Sequence, residues 1–501
     1  MIIFGLFQLR KHLLIIISTN RFFINMNFKI LFLFSLLSLS LSGKGQINSE
    51  NSNETPPNFI LVLTDDQGWN GTSVSMSDSL PLSKSDYHKT PNLELLAKKG
   101  MRFSSAYASA PVCSPSRYSI QFGQTPARLR MIRVGMNTEH INHETSITIP
   151  KILKTINPNY KSAHFGKWGI DVDPSILGFD KSDGITGNKD GGFDFRSNKK
   201  QWNNTTSDDP KKIFSVTNRA IEFIEQQAST GTPFFLQVSH YAVHSDIMMR
   251  KETLEKYEAL PKGLHHRHAG FAAMTEDLDS GLGILVEKVK ELGLNKNTYI
   301  IYTSDNGAVP VMPPRSKYTS GTNTPLSRGK WDAMEGGIRV PFVITGPNIN
   351  AGIESKVPIS FSDLLPTIID IAGKKIPLHD LDGGSFKKVA FENGKGEVKR
   401  NKKGIVFHVP YENGIALKRA HSAIIYDHFK LIKFYDTNEL RLYSIVNDIE
   451  EKYDLSKILI EKTNKLEVSL NEYLNLVKAP KWKPGITWRD NKPIQEINSF
   501  H

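Results

Sequence analysis

Cysteine is almost missing from this chain: Cys113 is the one cysteine in 501 residues. An internal disulfide is therefore excluded, and so is a zinc site built on paired cysteines. The first 45 residues lack acidic side chains altogether. No internal repeat and no long low-complexity tract interrupts the sequence. What remains is ordinary for a globular protein, with 39% hydrophobic and 23% charged residues over a length sufficient for two domains.

The acid-free start carries two apolar runs, 13–17 and 30–41. Met26-Asn27-Phe28-Lys29 followed by the second run and then Ser42-Gly43-Lys44-Gly45 has the pattern of a secretory signal peptide, with Met26 as an alternative start. That run is short for a membrane span, and no cysteine follows it to carry a lipid. The expectation is a leader over 1–45 and a periplasmic or secreted protein with no stable membrane insertion once the leader is removed. Arg10, Lys11, Arg21, Lys29 and Lys44 supply five of the +12 net charges, leaving +7 for the rest. This excess suits a polyanionic partner and equally a solvated lysine surface. An exported protein that keeps one unpaired cysteine points to chemistry at that residue.

Cys113 sits in Ala110-Pro111-Val112-Cys113-Ser114-Pro115-Ser116-Arg117. Pro115 has its φ already fixed and no amide hydrogen, so it suits the first turn of a helix running toward Gly123. Cys113 then lies at the helix N-terminus with Arg117 four residues on, on the same face. Dipole and guanidinium together favour an anion there, the arrangement of a nucleophile in an anion hole. The alternative is a small buried hydrophobe.

Two β-rich runs end in oxygen ligands. The run 58–64 delivers Asp65-Asp66-Gln67-Gly68, and the run 297–303 delivers Ser304-Asp305-Asn306-Gly307. Short continuous apolar runs read as central parallel strands, and sites in such sheets lie beyond the strands' carboxyl ends. Asp65, Asp66, Asp305 and Asn306 together make a site for a hard cation such as Ca²⁺, with Mg²⁺ or Mn²⁺ as alternatives. A turn or a helix cap is the other reading of the Asp-Asp pair. The run 233–239 ends in His240 and His244; a histidine beside a site can pass a proton to a departing alkoxide, although a structural role is open to it too.

Cys113-Ser114-Pro115-Ser116-Arg117 resembles the maturation motif of the type I sulfatases, whose cysteine is oxidised to formylglycine, an aldehyde. Further motifs of that family stand in order: the Asp65-Asp66 and Asp305-Asn306 strand ends, Gly166-Lys167-Trp168, His244 at a strand end, and Arg328-Gly329-Lys330-Trp331 through Arg339. The resemblance covers about residues 57–456. It implies an α/β protein of the alkaline-phosphatase-like sulfatase fold, a large mixed sheet flanked by helices with a smaller C-terminal α+β subdomain. The implied division is a catalytic domain over 46–376 and a C-terminal subdomain with a small antiparallel sheet over 377–501.

It also implies one Ca²⁺ held by Asp65, Asp66, Asp305, Asn306 and the formylglycine made from Cys113. Arg117, Lys167 and Lys330 are then the cations on the sulfate oxygens, and His244 or Lys330 the proton donor to the leaving alcohol. A formylglycine-generating or anaerobic maturing enzyme becomes a required partner, and nucleic acid is not one. The substrate class implied is a sulfated polysaccharide or oligosaccharide, algal ulvan or carrageenan before glycosaminoglycan. Phosphonate or phosphate ester hydrolysis and non-catalytic binding of sulfated glycans are the competing readings.

Two departures stand out. Gly169 occupies a position where the family has histidine, and Gln121-Phe122-Gly123-Gln124 replaces the usual Leu-Thr-Gly-Arg. His140, His143 and His164 are near Gly169 in sequence, and on an extended strand His164 faces away from Lys167. Helices are expected within 90–100 and over 272–292 and 362–372. A single strand is expected over 101–107, others over 423–432 and 439–443, and a linker or exposed loop over 386–404. His265-His266-Arg267-His268 lacks zinc spacing and reads as the loop before a helix. Lys481-Trp482-Lys483-Pro484 and Trp488 read as packing or as a sugar cleft.

Overall fold

The computed structural model describes residues 56–193, 201–312, 322–374, 381–412 and 419–484. The leader, residues 313–321 and Trp488 lie outside them. The strand Asn58–Thr64 is buried along its whole length and is parallel to a neighbour on each side, with Leu61 opposite Gln237 on one and Ile301 on the other. Across the sheet lie, in order, Ile353–Ser355, Met101–Phe103, Phe342–Thr345, Thr298–Ser304, Asn58–Thr64, Phe234–Ser239, Lys161–Gly166 and Lys181–Ser182. Phe342–Thr345 runs antiparallel to both neighbours, which makes the sheet mixed.

Alternation along Asn58–Thr64 explains the layers. Phe59, Leu61 and Leu63 enter one core, while Ile60 and Val62 enter another on the opposite face. The first face is covered by Cys113–Phe122 through Tyr118 and Ile120, by Ile149–Ile156, and by Leu364–Ile371. The second is covered by Pro91–Lys99, Ile213–Thr230 and Ala269–Glu291. Leu282, Leu285 and Val289 are buried as their spacing predicts; Leu292 is the C-cap and stays partly exposed. His268 starts that helix, its ring accepting from the Phe271 amide at 3.1 Å.

A four-stranded antiparallel sheet follows: Ile405–Val409, His421–Tyr426, Phe429–Phe434 and Leu440–Ser444. Phe407, Ile425 and Ile432 face the large core, and Val406, Ile424 and Leu431 face the helix Ile460–Leu476 through Leu466, Leu470 and Tyr473. No helix among the described residues is long and apolar enough to cross a membrane.

Several local expectations are corrected. The strand over 101–107 is broken, because Arg339 donates to the Ser104 carbonyl at 2.6 Å and Ala106–Tyr107 pairs separately with Ile359–Ser360. The strand over 423–432 is two strands joined at Asp427 and His428, both with positive φ (50° and 63°), as a tight hairpin requires. The stretch 386–404 is an exposed loop only from Glu392 onward: Phe386 is buried edge-on against Phe103 and Phe342, and Lys387–Phe391 is helical. The helix Ile460–Leu476 was not anticipated, its exposed apolar residues having blurred its period.

Candidate active site

Four parallel neighbours, Thr298–Ser304, Asn58–Thr64, Phe234–Ser239 and Lys161–Gly166, end at the same edge of the sheet. Their next residues are Asp305-Asn306, Asp65-Asp66, His240 onward and Lys167. One edge therefore collects carboxylates, an amide, a histidine and a lysine from segments far apart in sequence. The backbone is stitched there by Asp305 N to Thr64 O at 3.0 Å, Lys167 N to Ser239 O at 2.7 Å and Asp65 N to Ala242 O at 3.0 Å. Asp66 adopts φ 60°, uncommon for a residue with a Cβ.

Cys113 is the first residue of Cys113–Phe122, which ends at Gly123 with φ 62°. It is buried, and Arg117, Lys167 and Lys330 all lie within its electrostatic reach. Arg117 donates from Nε and Nη2 to Asp305 Oδ2 at 3.0 and 2.8 Å, and from Nη1 to the Lys167 carbonyl. Lys167 Nζ meets Asp65 Oδ2 at 2.5 Å, and Lys330 Nζ meets Asp66 Oδ2 at 2.7 Å. Lys330 comes from a loop tied to the cysteine loop by Trp331 N donating to Pro111 O at 2.9 Å. All the candidate site residues proposed from sequence thus converge: Asp65, Asp66, Cys113, Arg117, Lys167, His244, Asp305, Asn306 and Lys330.

Burial opposes ionisation of Asp65, but the pull of Lys167, His244, Arg117 and Lys330 overrides it and holds the carboxyl well below its usual range. Desolvation works the other way on His244, which burial and then the Lys330 charge push down to about 4 against the pull of Asp66. Its Nδ1 stands 2.6 Å from the Ser245 carbonyl, which can only accept, so Nδ1 carries the proton. A neutral His244 then turns the Nε2 lone pair toward Asp66 Oδ2, 3.6 Å away. Asp65, Asp66 and His244 offer donor atoms all within 4.8 Å of one another.

Whether a hard cation fits here is decided by which oxygens lack donors. Asp65 Oδ1 and Asn306 Oδ1 are buried with no hydrogen-bond partner among the described residues. Such acceptors are costly without a positive partner, and carboxylate and amide oxygens are the donors Ca²⁺ takes. Asp65, Asp66, Asp305 and Asn306 fit that ion.

The residues 57–374 match the family model described as Sulfatase. The chain belongs to the sulfatase family. A second model, N-sulphoglucosamine sulphohydrolase, C-terminal, matches 330–479 of this sulfatase-family chain. It is 28% identical to N-acetylgalactosamine-6-sulfatase of Mus musculus over 357 residues, covering 64% of this chain and 64% of that protein's length. It is 26% identical to an ulvan-active sulfatase of Formosa agariphila over 374 residues, 68% of this chain and 67% of that one. Among solved structures it resembles the crystal structure of Ps i-CgsB, with a TM-score of 0.68 and 25% identity over 88% of this chain and 96% of that chain. The alkaline-phosphatase-like sulfatase fold expected from the motifs is thus the fold observed.

Gly169 has φ 68°, and a Cβ there would meet Arg117 Cδ at 2.8 Å. A side chain at 169 therefore presses first on the stem of Arg117, whose head group Asp305 holds. The nearby histidines are spent on structure. His164 packs on Trp168 and Phe179 with Nε2 at 3.1 Å from Ser239 Oγ, His140 bonds the Leu129 carbonyl, and His143 lies against Tyr118 and Phe122. Gly169→His is accordingly expected to lower kcat/KM on the order of 10- to 100-fold through displacement of Arg117. Turnover equal to or above wild type would show that the pocket accepts the ring. Sequence reading missed Lys211, a buried cation beside this centre with no motif to mark it.

Proposed function

We propose that this protein hydrolyses sulfate esters of a sulfated polysaccharide or its oligosaccharides, with the Cys113 position as nucleophile after conversion to formylglycine. The observation that supports it is the convergence of Arg117, Lys167 and Lys330 on Cys113 at a helix N-terminus, beside unpartnered carboxylate and amide oxygens of Asp65 and Asn306 that suit Ca²⁺. Bound Ca²⁺ would supply charge neutralisation at the reacting sulfate, held by Asp65, Asp66, Asp305 and Asn306. Formylglycine supplies a hydrated aldehyde as the attacking group.

The chain's own residues bind and orient. Arg117 is fixed by Asp305 and presents its charge beside position 113, and Lys167 and Lys330 complete a cationic wall aimed at the equatorial oxygens. Lys330 is assigned the proton for the leaving oxygen: Asp66 raises its pKa above the usual lysine value despite burial, yet an ammonium is still a stronger acid than a sugar hydroxyl. His244, with its proton on Nδ1, lines the substrate side with its Nε2 lone pair facing Asp66. The export expected from the leader places the reaction in the periplasm or outside the cell, and a maturing enzyme must act on Cys113 first.

For the sugar, the likeness to the ulvan-active sulfatase supports an algal polymer, which we take first, and the likeness to N-acetylgalactosamine-6-sulfatase supports a glycosaminoglycan as the alternative. Sulfate release measured across ulvan, carrageenan and glycosaminoglycan preparations, with aryl sulfate and aryl phosphate alongside, tests the reading. The expected result is release from an algal polymer and a large preference for aryl sulfate over aryl phosphate. Faster turnover of the phosphate would replace the assignment with phosphate ester hydrolysis.

A further inference from the structure

Lys211 is 2% exposed, and its backbone is held in the left-handed region at φ 52°, followed by Lys212 at φ 54°. It lies in the turn Pro210–Lys212, just before the helix Ile213–Thr230. The turn is pinned from both sides. Asp209 Oδ1 accepts from the Phe214 amide at 2.8 Å and the Ser215 amide at 3.3 Å, and Lys212 N donates to the Asp209 carbonyl at 3.2 Å. The short strand before it, Thr205–Thr206, pairs in parallel with Met248–Met249 after His244, and Ser207 N donates to Met249 O at 3.0 Å.

Lys211 is therefore set rigidly into the interior, where its charge is close to Asp65, Asp246 and Asp66 and is repelled by Lys167. Its ammonium makes no hydrogen bond or ion pair of contact distance with any described residue, whereas Lys167 and Lys330 each close on a carboxylate. A lysine head group is normally kept in water or paired when buried. One that is buried, strained at φ and without a contact partner is poorly explained by stability, and such departures concentrate where a ligand is bound.

We propose that Lys211 is a fourth cation of the anion pocket formed by Arg117, Lys167 and Lys330, and that its ammonium binds an oxygen of a sulfate group on the substrate. This rests on the sulfate ester reading above. The shared chemistry is a sulfate oxyanion, and two sources can supply it: the group being cleaved, or a second sulfate on the same or the next sugar. The position is reached from the turn before Ile213–Thr230, an element that carries none of the other site residues. A change of length or conformation there would alter sulfate recognition and leave the strand ends untouched.

The test uses the matured full chain and its Lys211→Met and Lys211→Arg variants, with inorganic sulfate titrated by calorimetry and used as a competitor of aryl sulfate hydrolysis. Methionine keeps the volume and removes the charge. Lys211→Met is expected to weaken inorganic sulfate at least tenfold, with a melting temperature equal to or above wild type, and Lys211→Arg to fall between the two.

If inorganic sulfate binds unchanged while KM for a disulfated oligosaccharide rises tenfold over that for a monosulfated one, the second sulfate is the ligand and the oxyanion role stands. Unchanged sulfate binding with unchanged KM for both oligosaccharides overturns the proposal. A lowered melting temperature alongside those unchanged constants would make Lys211 a structural counter-ion. Wild-type protein that binds inorganic phosphate and not sulfate overturns the sulfate ester reading instead, and the phosphate titration of the variants then reads the lysine. Should Lys211→Met fail to fold, Lys211→Arg carries the comparison.

Discussion

Cys113→Ala is expected to abolish sulfate release, with a loss on the order of 10⁴-fold or more, the scale on which removal of a nucleophile is felt. Cys113 opens a helix whose first turn faces three cations, and each of them is buried. Burial strips water from Arg117, Lys167 and Lys330, so their charges act through a medium of low polarity and reinforce one another. Replacing the side chain by a methyl group removes the attacking atom while leaving every one of those cations on its carboxylate: Arg117 on Asp305, Lys167 on Asp65, Lys330 on Asp66. The variant should therefore still bind inorganic sulfate and melt close to wild type. A sulfate-release assay checks the first half, and calorimetric titration with inorganic sulfate together with a melting curve checks the second. Undiminished release in the alanine variant would remove Cys113 from the mechanism.

How much of this was legible in the sequence varied with how local the cause was. The strand Asn58–Thr64 announced itself because a parallel strand covered on both faces must be apolar throughout, and the carboxylates after it fell at the edge where such sheets bind ligands. The helix at Cys113 was readable from Pro115 and Gly123, two residues whose backbone limits are intrinsic. By contrast, the break at Ser104 was invisible, since it depends on Arg339, 235 residues away, reaching the Ser104 carbonyl. The hairpin at Asp427 and His428 was missed because neither residue is glycine or asparagine, the usual markers of positive φ. Gly169 was readable as a departure, but its consequence was not: only the structure shows Arg117 Cδ where a side chain would begin. Lys211 left no sequence signal at all. A pair of lysines after a proline looks like any surface turn until the burial of the first is known.

The largest expected loss of stability lies away from the nucleophile, in the brace that carries Lys330. Lys430 stands on the strand Phe429–Phe434 of the small sheet, fully buried, with Nζ at 3.1 Å from Glu335 Oε1 and 2.7 Å from Glu451 Oε1. Glu335 is held also by Arg339 Nε at 2.6 Å, and Glu451 Oε2 accepts from the Ser327 hydroxyl at 2.5 Å and the Glu335 amide at 2.8 Å. Two carboxylates and two cations thus balance inside the protein, and the segment from Ser327 to Glu335, which includes Lys330, is fastened to the small sheet by charge. Removing one partner of such a cluster leaves a buried carboxylate uncompensated. Lys430→Met is expected to destabilise the fold by about 3–5 kcal/mol. For a chain of this size that is a fall in melting temperature of roughly 5 °C, measured by circular dichroism. Adding Glu451→Gln should recover part of it, because the second change removes the charge that the first left unpaired. An unchanged melting temperature in Lys430→Met would mean that water reaches the cluster and that the brace is not what holds Lys330 over Asp66. If the brace does hold it, kcat should drop with stability in Lys430→Met and return with it in the double variant, which ties the small sheet to catalysis through one buried lysine.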